Sequence, residues 1–169
     1  DKLVRRHPHV FGDVQADSAD QVLTNWEKLK SAERREENKG ILSGVPRSLP
    51  ALLKAGRLTE KAARVGFDWK KPEDVLEKLD EEMQELREAV GRHDPAAIEH
   101  EIGDVLFTIA NIARHMSVNA EGALQKSNEK FQRRFESIES SLHEAGRTVD
   151  GATLEELDAL WNAAKEKGL

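Results

Sequence analysis

The segment 94–116 limits the possible folds of this chain more than any other. Asp94 followed by Pro95 is typical of a helix start, and apolar residues then recur at helical spacing. One apolar stripe includes Ile102 and Ile109, while Leu106 and its neighbours cover much of the opposite side. A helix that is apolar most of the way round lies at the centre of a bundle, and the other helices of this chain can scarcely surround it. We therefore expect an all-α helical bundle whose core is completed by homodimerisation.

The remaining helices follow from local start and stop signals. Pro72 is placed to open a helix that runs to about Arg92 and carries apolar residues at three-four spacing. Thr153 and Glu156 form a capping box at the start of the last helix. This last helix is expected at about 153–167, and further helices are expected at about 18–38, 50–65 and 120–145. Because residues 38–50 contain two Gly and two Pro, they are typical of a linker.

Composition narrows the class of protein. Charged residues make up 34% of the 169 and aromatic residues 5%, with no Tyr or Cys, which suits a helical protein and disfavours a β-sandwich. The lack of Cys excludes disulfide scaffolds and Cys-ligated metals, and it fits the cytoplasmic location that we expect. The longest apolar stretch, about 105–113, is too short for a membrane span, so no membrane partner is expected. The basic residues lack interleaved aromatics and the net charge is −6, so no nucleic-acid polymer is expected either.

The net charge is unevenly distributed along the chain. Residues 77–104 contain ten acids and only three bases. Residues 126–134 contain four bases against Glu129. An acidic block followed by a basic block is compatible with a cation site that faces an anionic ligand, and two solvated helix faces are the alternative.

Four carboxylates lie at matching positions on two consecutive helices. Glu82 and Glu85 flank the apolar stripe of the helix at 72–92, and Glu101 and Asp104 flank the next stripe, each pair about 60° apart. Antiparallel neighbours would bring all four to one groove, with Asn111 further along the same side. Neighbouring negative charges raise one another's pKa unless a cation neutralises them, and Mg²⁺ prefers such oxygen ligands. Acid pairs three residues apart are common in this chain, so a charged surface is the alternative to a metal site.

Two further patterns bear on the ligand. A di-iron carboxylate bundle expects Glu-x-x-His, and no His lies three residues after a Glu, so the histidines are interpreted as surface residues or supports of a site. Lys130 and Arg134 lie one turn apart on one helix face, which suits contacts with phosphate oxygens. Surface salt bridges to nearby acids are the alternative for this pair.

These residues fall in motifs that resemble the MazG family, the all-α nucleoside triphosphate pyrophosphohydrolases. The resemblance spans nearly the whole chain and includes RRHPHVFGD (5–13), GVPRSLPAL (44–52) and KAARVGFDW (61–69). The functional signature follows as EEMQE (81–85), EIGDVLF (101–107) and KFQRRF (130–135).

The resemblance implies hydrolysis of a nucleoside triphosphate between its α and β phosphates, giving a nucleoside monophosphate and pyrophosphate. The implied Mg²⁺ ligands, which are also catalytic, are Glu82, Glu85, Glu101 and Asp104. The implied substrate-binding residues are Lys78, Lys130, Arg134, Trp161 and Lys165. Lys130 and Arg134 are also implied to be catalytic. Trp161 either stacks on the base or fills the bundle core. The alternative function is a helical dimerisation or partner-binding module with little catalytic activity.

An imperfect internal repeat affects the expected domain organisation. Residues 2–6 (KLVRR) resemble residues 130–134 (KFQRR), and Trp26-x-x-x-Lys30 resembles Trp161-x-x-x-Lys165, although the separations differ. We therefore expect residues 1–37 to be the tail of an upstream repeat domain, 38–50 a linker and 51–169 the MazG-type catalytic domain. The absence of an initiating Met agrees with a C-terminal fragment.

Overall fold

The computed structural model describes residues 40–169, which contain five α-helices and no strand. The helices are α1 (Ala51–Ala63), α2 (Pro72–Arg92), α3 (Pro95–His115), α4 (Ala120–Glu144) and α5 (Leu154–Glu166), with a 3₁₀ turn at Val149–Gly151. The all-α prediction is confirmed for this part of the chain. The helix expected at 18–38 and the expected upstream tail lie outside the described residues.

The helix ends form where the local signals predict them. Asp94 Oδ1 accepts hydrogen bonds from the backbone N–H groups of Ala96 and Ala97, and Pro95 is the first helical residue of α3. Thr153 and Glu156 form the expected capping box at the start of α5. These contacts satisfy backbone donors that have no partner within a helix, so they specify the starts of α3 and α5.

The helices pack as two connected pairs. Only His93 and Asp94 separate α2 from α3, so these two helices run in opposite directions and pack along each other. α5 packs on α4, α1 packs on α3, and α4 contacts both α1 and α3. The buried apolar residues are distributed over all five helices: Ala55, Val75, Ala89, Ala110, Ile138, Leu142 and Ala164.

One side of the α2–α3 pair remains apolar and exposed. Six of its large apolar side chains are between 41% and 50% exposed: Leu76, Val90, Ile102, Leu106, Ile109 and Met116. The helices in residues 40–169 therefore leave part of α3 uncovered, as expected, but Leu106 lies on the same side as Ile102 and Ile109 and not opposite them, because residues three and four apart share one side of a helix. None of these helices combines the length and apolar character needed to cross a membrane.

Candidate functional site

Three carboxylates meet between α2 and α3. One oxygen each of Glu82, Glu85 and Glu101 lies within 4.8 Å of the other two. Glu82 is buried, with 7% of its surface exposed, whereas Glu101 is half-buried and Glu85 is exposed. The group is therefore reachable from solvent on one side and enclosed by the helix pair on the other.

Lys78 lies beside this cluster, one turn before Glu82 on α2. Its Nζ is 2.9 Å from Glu81 Oε1 and 2.9 Å from Glu82 Oε1. The hydrogen bonds to Glu81 and Glu82 raise the pKa of Lys78 well above its usual range. One permanent positive charge thus offsets part of the negative charge of the cluster.

Glu85 is the member of the cluster whose pKa is shifted. Desolvation by the surrounding atoms, together with the negative charges of Glu82 and Glu101, raises the pKa of Glu85. Burial and neighbouring negative charges raise the pKa of a carboxyl group because they make its ionised form less stable. A cation placed among the three oxygens would stabilise that form.

Asp104, the fourth predicted ligand, lies one turn after Glu101 on α3. Its Oδ2 is 3.3 Å from Nε2 of His100, one turn earlier on the same helix. The structure therefore brings together three of the four predicted carboxylates and turns the fourth toward a histidine. A metal-binding role for Asp104 stays a prediction.

The donor set fits a hard divalent cation. Three carboxylate oxygens lie close together, and desolvation together with the negative charges of Glu82 and Glu101 raises the pKa of Glu85. Mg²⁺ is commonly held by a few carboxylates, with water and substrate phosphates completing its coordination. The residues present therefore match the chemistry of such an ion.

A second cluster, cationic and aromatic, forms where α4 packs on α5. The guanidinium carbon of Arg134 lies 5.3 Å from the centre of the Trp161 ring, and Arg134 Nε donates a hydrogen bond to the Leu169 carbonyl at 2.7 Å. The Phe131 ring centre is 5.3 Å from that of Trp161. Lys130 and Lys165 are exposed, one turn from Arg134 and Trp161 respectively.

The two clusters belong to different helix pairs, and no hydrogen bond or ion pair within residues 40–169 joins them. α4 contacts both α1 and α3, and Lys130 lies ten residues, about 15 Å, into α4.

The sequence did not indicate a third group of polar contacts. Arg114, near the end of α3, donates through Nη1 to Asp68 Oδ2 at 3.0 Å and through Nε to Asn111 Oδ1 at 2.9 Å. Nε2 of His115 lies 3.0 Å from Asp68 Oδ1. These contacts attach the loop between α1 and α2 to α3. Asp68 and Arg114 are 46 positions apart, and no local pattern predicts their pairing.

The fold and the site define an all-α protein with a carboxylate-rich candidate metal centre. Residues 70–138 match the MazG nucleotide pyrophosphohydrolase domain. This match confirms the resemblance drawn from the motifs.

Several curated relatives match nearly the whole chain. It is 44% identical over 172 residues to a nucleoside triphosphate pyrophosphohydrolase of Escherichia coli (strain K12), an alignment covering 99% of this chain and 65% of that protein. It is 42% identical over 165 residues to the nucleoside triphosphate pyrophosphohydrolase/pyrophosphatase MazG of Thermotoga maritima, covering 98% and 62%. The uncharacterized protein YabN of Bacillus subtilis is 46% identical over 170 residues, covering 98% and 34%. The chain thus spans less than two thirds of the length of these relatives.

Proposed function

We propose that this protein hydrolyses nucleoside triphosphates between the α and β phosphates, with Mg²⁺ as cofactor, releasing a nucleoside monophosphate and pyrophosphate. The observation that carries the proposal is the meeting of Glu82, Glu85 and Glu101 within 4.8 Å inside a MazG domain. The names of the Escherichia coli and Thermotoga maritima relatives support the same reaction class.

In the proposed reaction, Glu82, Glu85, Glu101 and Asp104 hold the metal. Mg²⁺ bound there would neutralise phosphate charge and lower the pKa of a water molecule. Water attacks the α-phosphorus, and the bond from that phosphorus to the oxygen that bridges to the β-phosphate breaks. Glu85 suits the role of proton acceptor from the water, because it is the exposed member of the group and a carboxylate that uses one oxygen for the metal keeps the other for a proton.

The cationic residues of α4 would stabilise the departing pyrophosphate. Lys130 is exposed on α4, and Arg134 lies one turn further along the same helix. Preorganised positive charges lower the barrier most where negative charge develops in the transition state. Lys78 and Lys165 would contact the nucleotide from α2 and α5. Phe131 and Arg134 both lie close to the Trp161 ring, which supports a structural contribution, and base stacking stays a prediction.

The direct test is product identification. The purified chain is incubated with Mg²⁺ and each common nucleoside triphosphate in turn, and the phosphate-containing products are separated and identified. We expect a nucleoside monophosphate and pyrophosphate, with no turnover after chelation of the metal. Release of orthophosphate instead would reject the proposed cleavage site. If the chain is inactive and Glu101→Ala does not alter Mg²⁺-dependent nucleotide binding, a helical interaction module is the better description.

We also propose a homodimer in which the apolar side of the α2–α3 pair is buried. At 100° per residue, Leu76 and Val90 of α2 lie on the same side of the pair as Ile109 of α3, opposite Glu85 and Asp104. A group of neighbouring exposed apolar side chains is typical of a protein interface. Sedimentation analysis should show a dimer that Ile109→Glu dissociates and that Leu154→Glu, at an exposed apolar residue of α5, leaves intact. A monomeric wild-type chain would contradict the proposal.

A further inference from the structure

Lys78 is shared between two consecutive carboxylates of α2 that have different surroundings. Its Nζ is 2.9 Å from Oε1 of Glu81 and 2.9 Å from Oε1 of Glu82. Glu82 belongs to the acidic cluster with Glu85 and Glu101, whereas Glu81 does not. The side chain of Glu82 is 9% exposed and that of Glu81 is 58% exposed. One ammonium group therefore connects a buried member of the cluster to a carboxylate in solvent.

Helix geometry places Lys78 between these two carboxylates. It precedes Glu81 by three residues and Glu82 by four, so at about 100° per residue the two glutamates lie on either side of it. A lysine ammonium ends a flexible stem of four carbons and donates hydrogen bonds in three directions. Lys78 can therefore give up one carboxylate and keep the other without a change in the backbone.

The two contacts of Lys78 differ in their importance for the protein without metal. A buried carboxylate that lacks a partner is unfavourable, because the ionised group has lost much of its water. A pair between exposed groups contributes little, because water solvates both partners well. The contact to Glu82 is therefore the one that the fold needs. Lys78 supplies the positive charge that Glu82 requires while no other cation is present.

The contact between Lys78 and Glu82 loses its purpose when a divalent cation lies at the three cluster oxygens. Glu82 then faces two positive charges, and the one on Lys78 can move. Positive charges within a few ångströms of each other repel, and the repulsion is strong where burial excludes water. Glu81 already lies at hydrogen-bond distance from Lys78 Nζ, so it can hold the ammonium after the contact to Glu82 is lost.

We propose that Lys78 is a tethered counter-ion of the acidic cluster, which leaves Glu82 when a divalent cation binds and is then held by Glu81. This inference rests on the proposed function, because that function places Mg²⁺ among the three carboxylates. Glu81 is thus a positioning residue, which touches neither the metal nor the nucleotide and acts through Lys78.

This exchange of partners makes the site favour a cation that arrives together with a nucleotide. Without a nucleotide, the charge of Lys78 competes with the cation and lowers its affinity. Phosphate oxygens attract the released ammonium, so the competition disappears when a nucleotide is bound. Coupling between two ligands is reciprocal, so the affinity for the nucleotide rises with metal by the same factor as the affinity for metal rises with the nucleotide.

Calorimetry with the full chain and MgCl₂ alone tests the exchange without any turnover. Lys78→Met keeps an unbranched side chain and removes the competing charge, so the Kd for Mg²⁺ should fall by about fivefold or more. Arg87→Met is the matched control. It removes an exposed positive charge nine residues further along α2, on the opposite side of the helix, and should leave the Kd for Mg²⁺ unchanged.

Glu81→Gln tests whether Glu81 acts through Lys78. In the wild-type background it removes the second carboxylate, so Lys78 stays on Glu82 and the Kd for Mg²⁺ should rise by about threefold or more. In the Lys78→Met background, the same substitution should have no more effect than Glu77→Gln, which removes another exposed carboxylate of α2. This double-mutant cycle separates the interaction from the general loss of negative charge.

Two further measurements distinguish the exchange from a purely structural contact. With a chelator present, Lys78→Met leaves Glu82 buried without its partner, so the thermal unfolding midpoint should fall, and saturating Mg²⁺ should restore it to the wild-type value. The second measurement adds the α,β-methylene analogue of ATP, which resists cleavage at the proposed bond. The gain in Mg²⁺ affinity caused by this analogue should be smaller in Lys78→Met than in the wild type.

Three results would overturn the inference. They are weaker or unchanged Mg²⁺ binding in Lys78→Met, an equal effect of Arg87→Met, or an effect of Glu81→Gln that is the same with and without Lys78. If Lys78→Met does not fold, the comparison of Glu81→Gln with Glu77→Gln in the wild-type background decides, and equal effects would overturn the inference.

The proposed function is judged separately by wild-type product formation. Hydrolysis between the α and β phosphates, with the Kd for Mg²⁺ unchanged in Lys78→Met, would keep the function and reject the exchange. Tighter Mg²⁺ binding in that variant, without hydrolysis by the wild type, would reject the reaction and keep the exchange.

Discussion

Glu85 on α2 and Glu156 at the start of α5 are the same type of residue in opposite electrostatic surroundings. Desolvation and the nearby Glu82 and Glu101 raise the pKa of Glu85. Hydrogen bonds from the Arg147 guanidinium and from the Thr153 backbone N–H lower the pKa of Glu156 to about 2. The α5 carboxylate therefore stabilises the fold when ionised, whereas the α2 carboxylate carries a charge that its neighbours oppose.

This difference separates structural carboxylates from candidate functional ones. A carboxylate with a cationic partner and a capping role needs no ligand to explain it. Glu82, Glu85 and Glu101 crowd one another, Lys78 pairs with only one of them, and together they form a group that could hold a metal ion. Substitution of a candidate functional carboxylate should therefore lower activity, whereas substitution of a structural carboxylate should lower stability.

The largest expected effect is the loss of activity in Glu101→Gln. Removing one ligand charge should lower kcat/KM by about a hundredfold or more, because metal and charge stabilisation in the transition state are both weakened. The thermal unfolding midpoint should not fall, since one of three repelling charges has been neutralised. Glu99→Gln, at an exposed position two residues earlier on α3, is the control for both measurements. Full activity in Glu101→Gln would remove the distinction between the two carboxylate classes.

A smaller loss of activity is expected for Lys130→Met. The proposed contact to the departing pyrophosphate is a single charge at an exposed site, so kcat should fall by about tenfold or more while the unfolding midpoint stays unchanged. Arg133→Met, which removes an exposed charge from the neighbouring side of α4, is the control. Equal effects of the two substitutions would show that only the general positive charge of α4 matters.

Asp68→Asn should lower the stability of the fold without weakening metal binding. Arg114, through its hydrogen bonds and charge, lowers the pKa of Asp68 below its ordinary 3.8, so the ionised form stabilises the fold above that pH. The substitution should reduce the free energy of unfolding by about 1–3 kcal/mol at pH 7, measured by urea titration. The loss should shrink as the pH falls through the lowered pKa, where the wild-type carboxyl becomes protonated. A loss that does not shrink at all as the pH falls below 3.8, or an equal loss in the exposed Asp158→Asn, would contradict this role.

Glu156→Gln should have the smallest effect. It removes the partner of Arg147 and weakens the capping box, so the thermal unfolding midpoint should fall slightly at pH 7 with no change in activity. Because the pKa of Glu156 is lowered from 4.5 to about 2, its stabilisation is present above pH 4.5 and is lost as the pH falls toward 2. Glu166→Gln, near the other end of α5, should not lower the midpoint. A measurable loss of turnover in Glu156→Gln would place this carboxylate with the functional group.

The helices could be predicted from sequence because their signals are local. The segment with apolar three-four spacing after Pro72 forms a helix that ends at Arg92, as expected. Asp94 and the Thr153–Glu156 pair act within three residues of the helix starts that they specify. Hydrophobic periodicity and capping involve contacts within a few turns, so one sequence is sufficient to reveal them.

The acidic cluster could be predicted only in part. A two-residue connection forces α2 and α3 to be antiparallel neighbours, which is why spacing alone indicated that Glu82, Glu85 and Glu101 share a groove. The side chain of Asp104 turns toward His100, one turn earlier, and helical spacing does not decide between such an ion pair and a shared site. The dimer, the metal and the roles of Lys130 and Lys165 stay predictions.

For the part of the chain that the structure describes, the sequence by itself determined the helices, their ends, the apolar faces of α3 and the faces that carry acidic residues. Each of these depends on neighbours within a few turns of one helix. Only the tertiary structure decided which distant groups meet. Asp68 reaches Arg114 across 46 positions, Arg134 lies over Trp161, and the amide nitrogen of Asn111 is left without a partner in the part of the chain that the structure describes. Such contacts depend on how whole helices pack, and the spacing of side chains along the chain does not determine that packing.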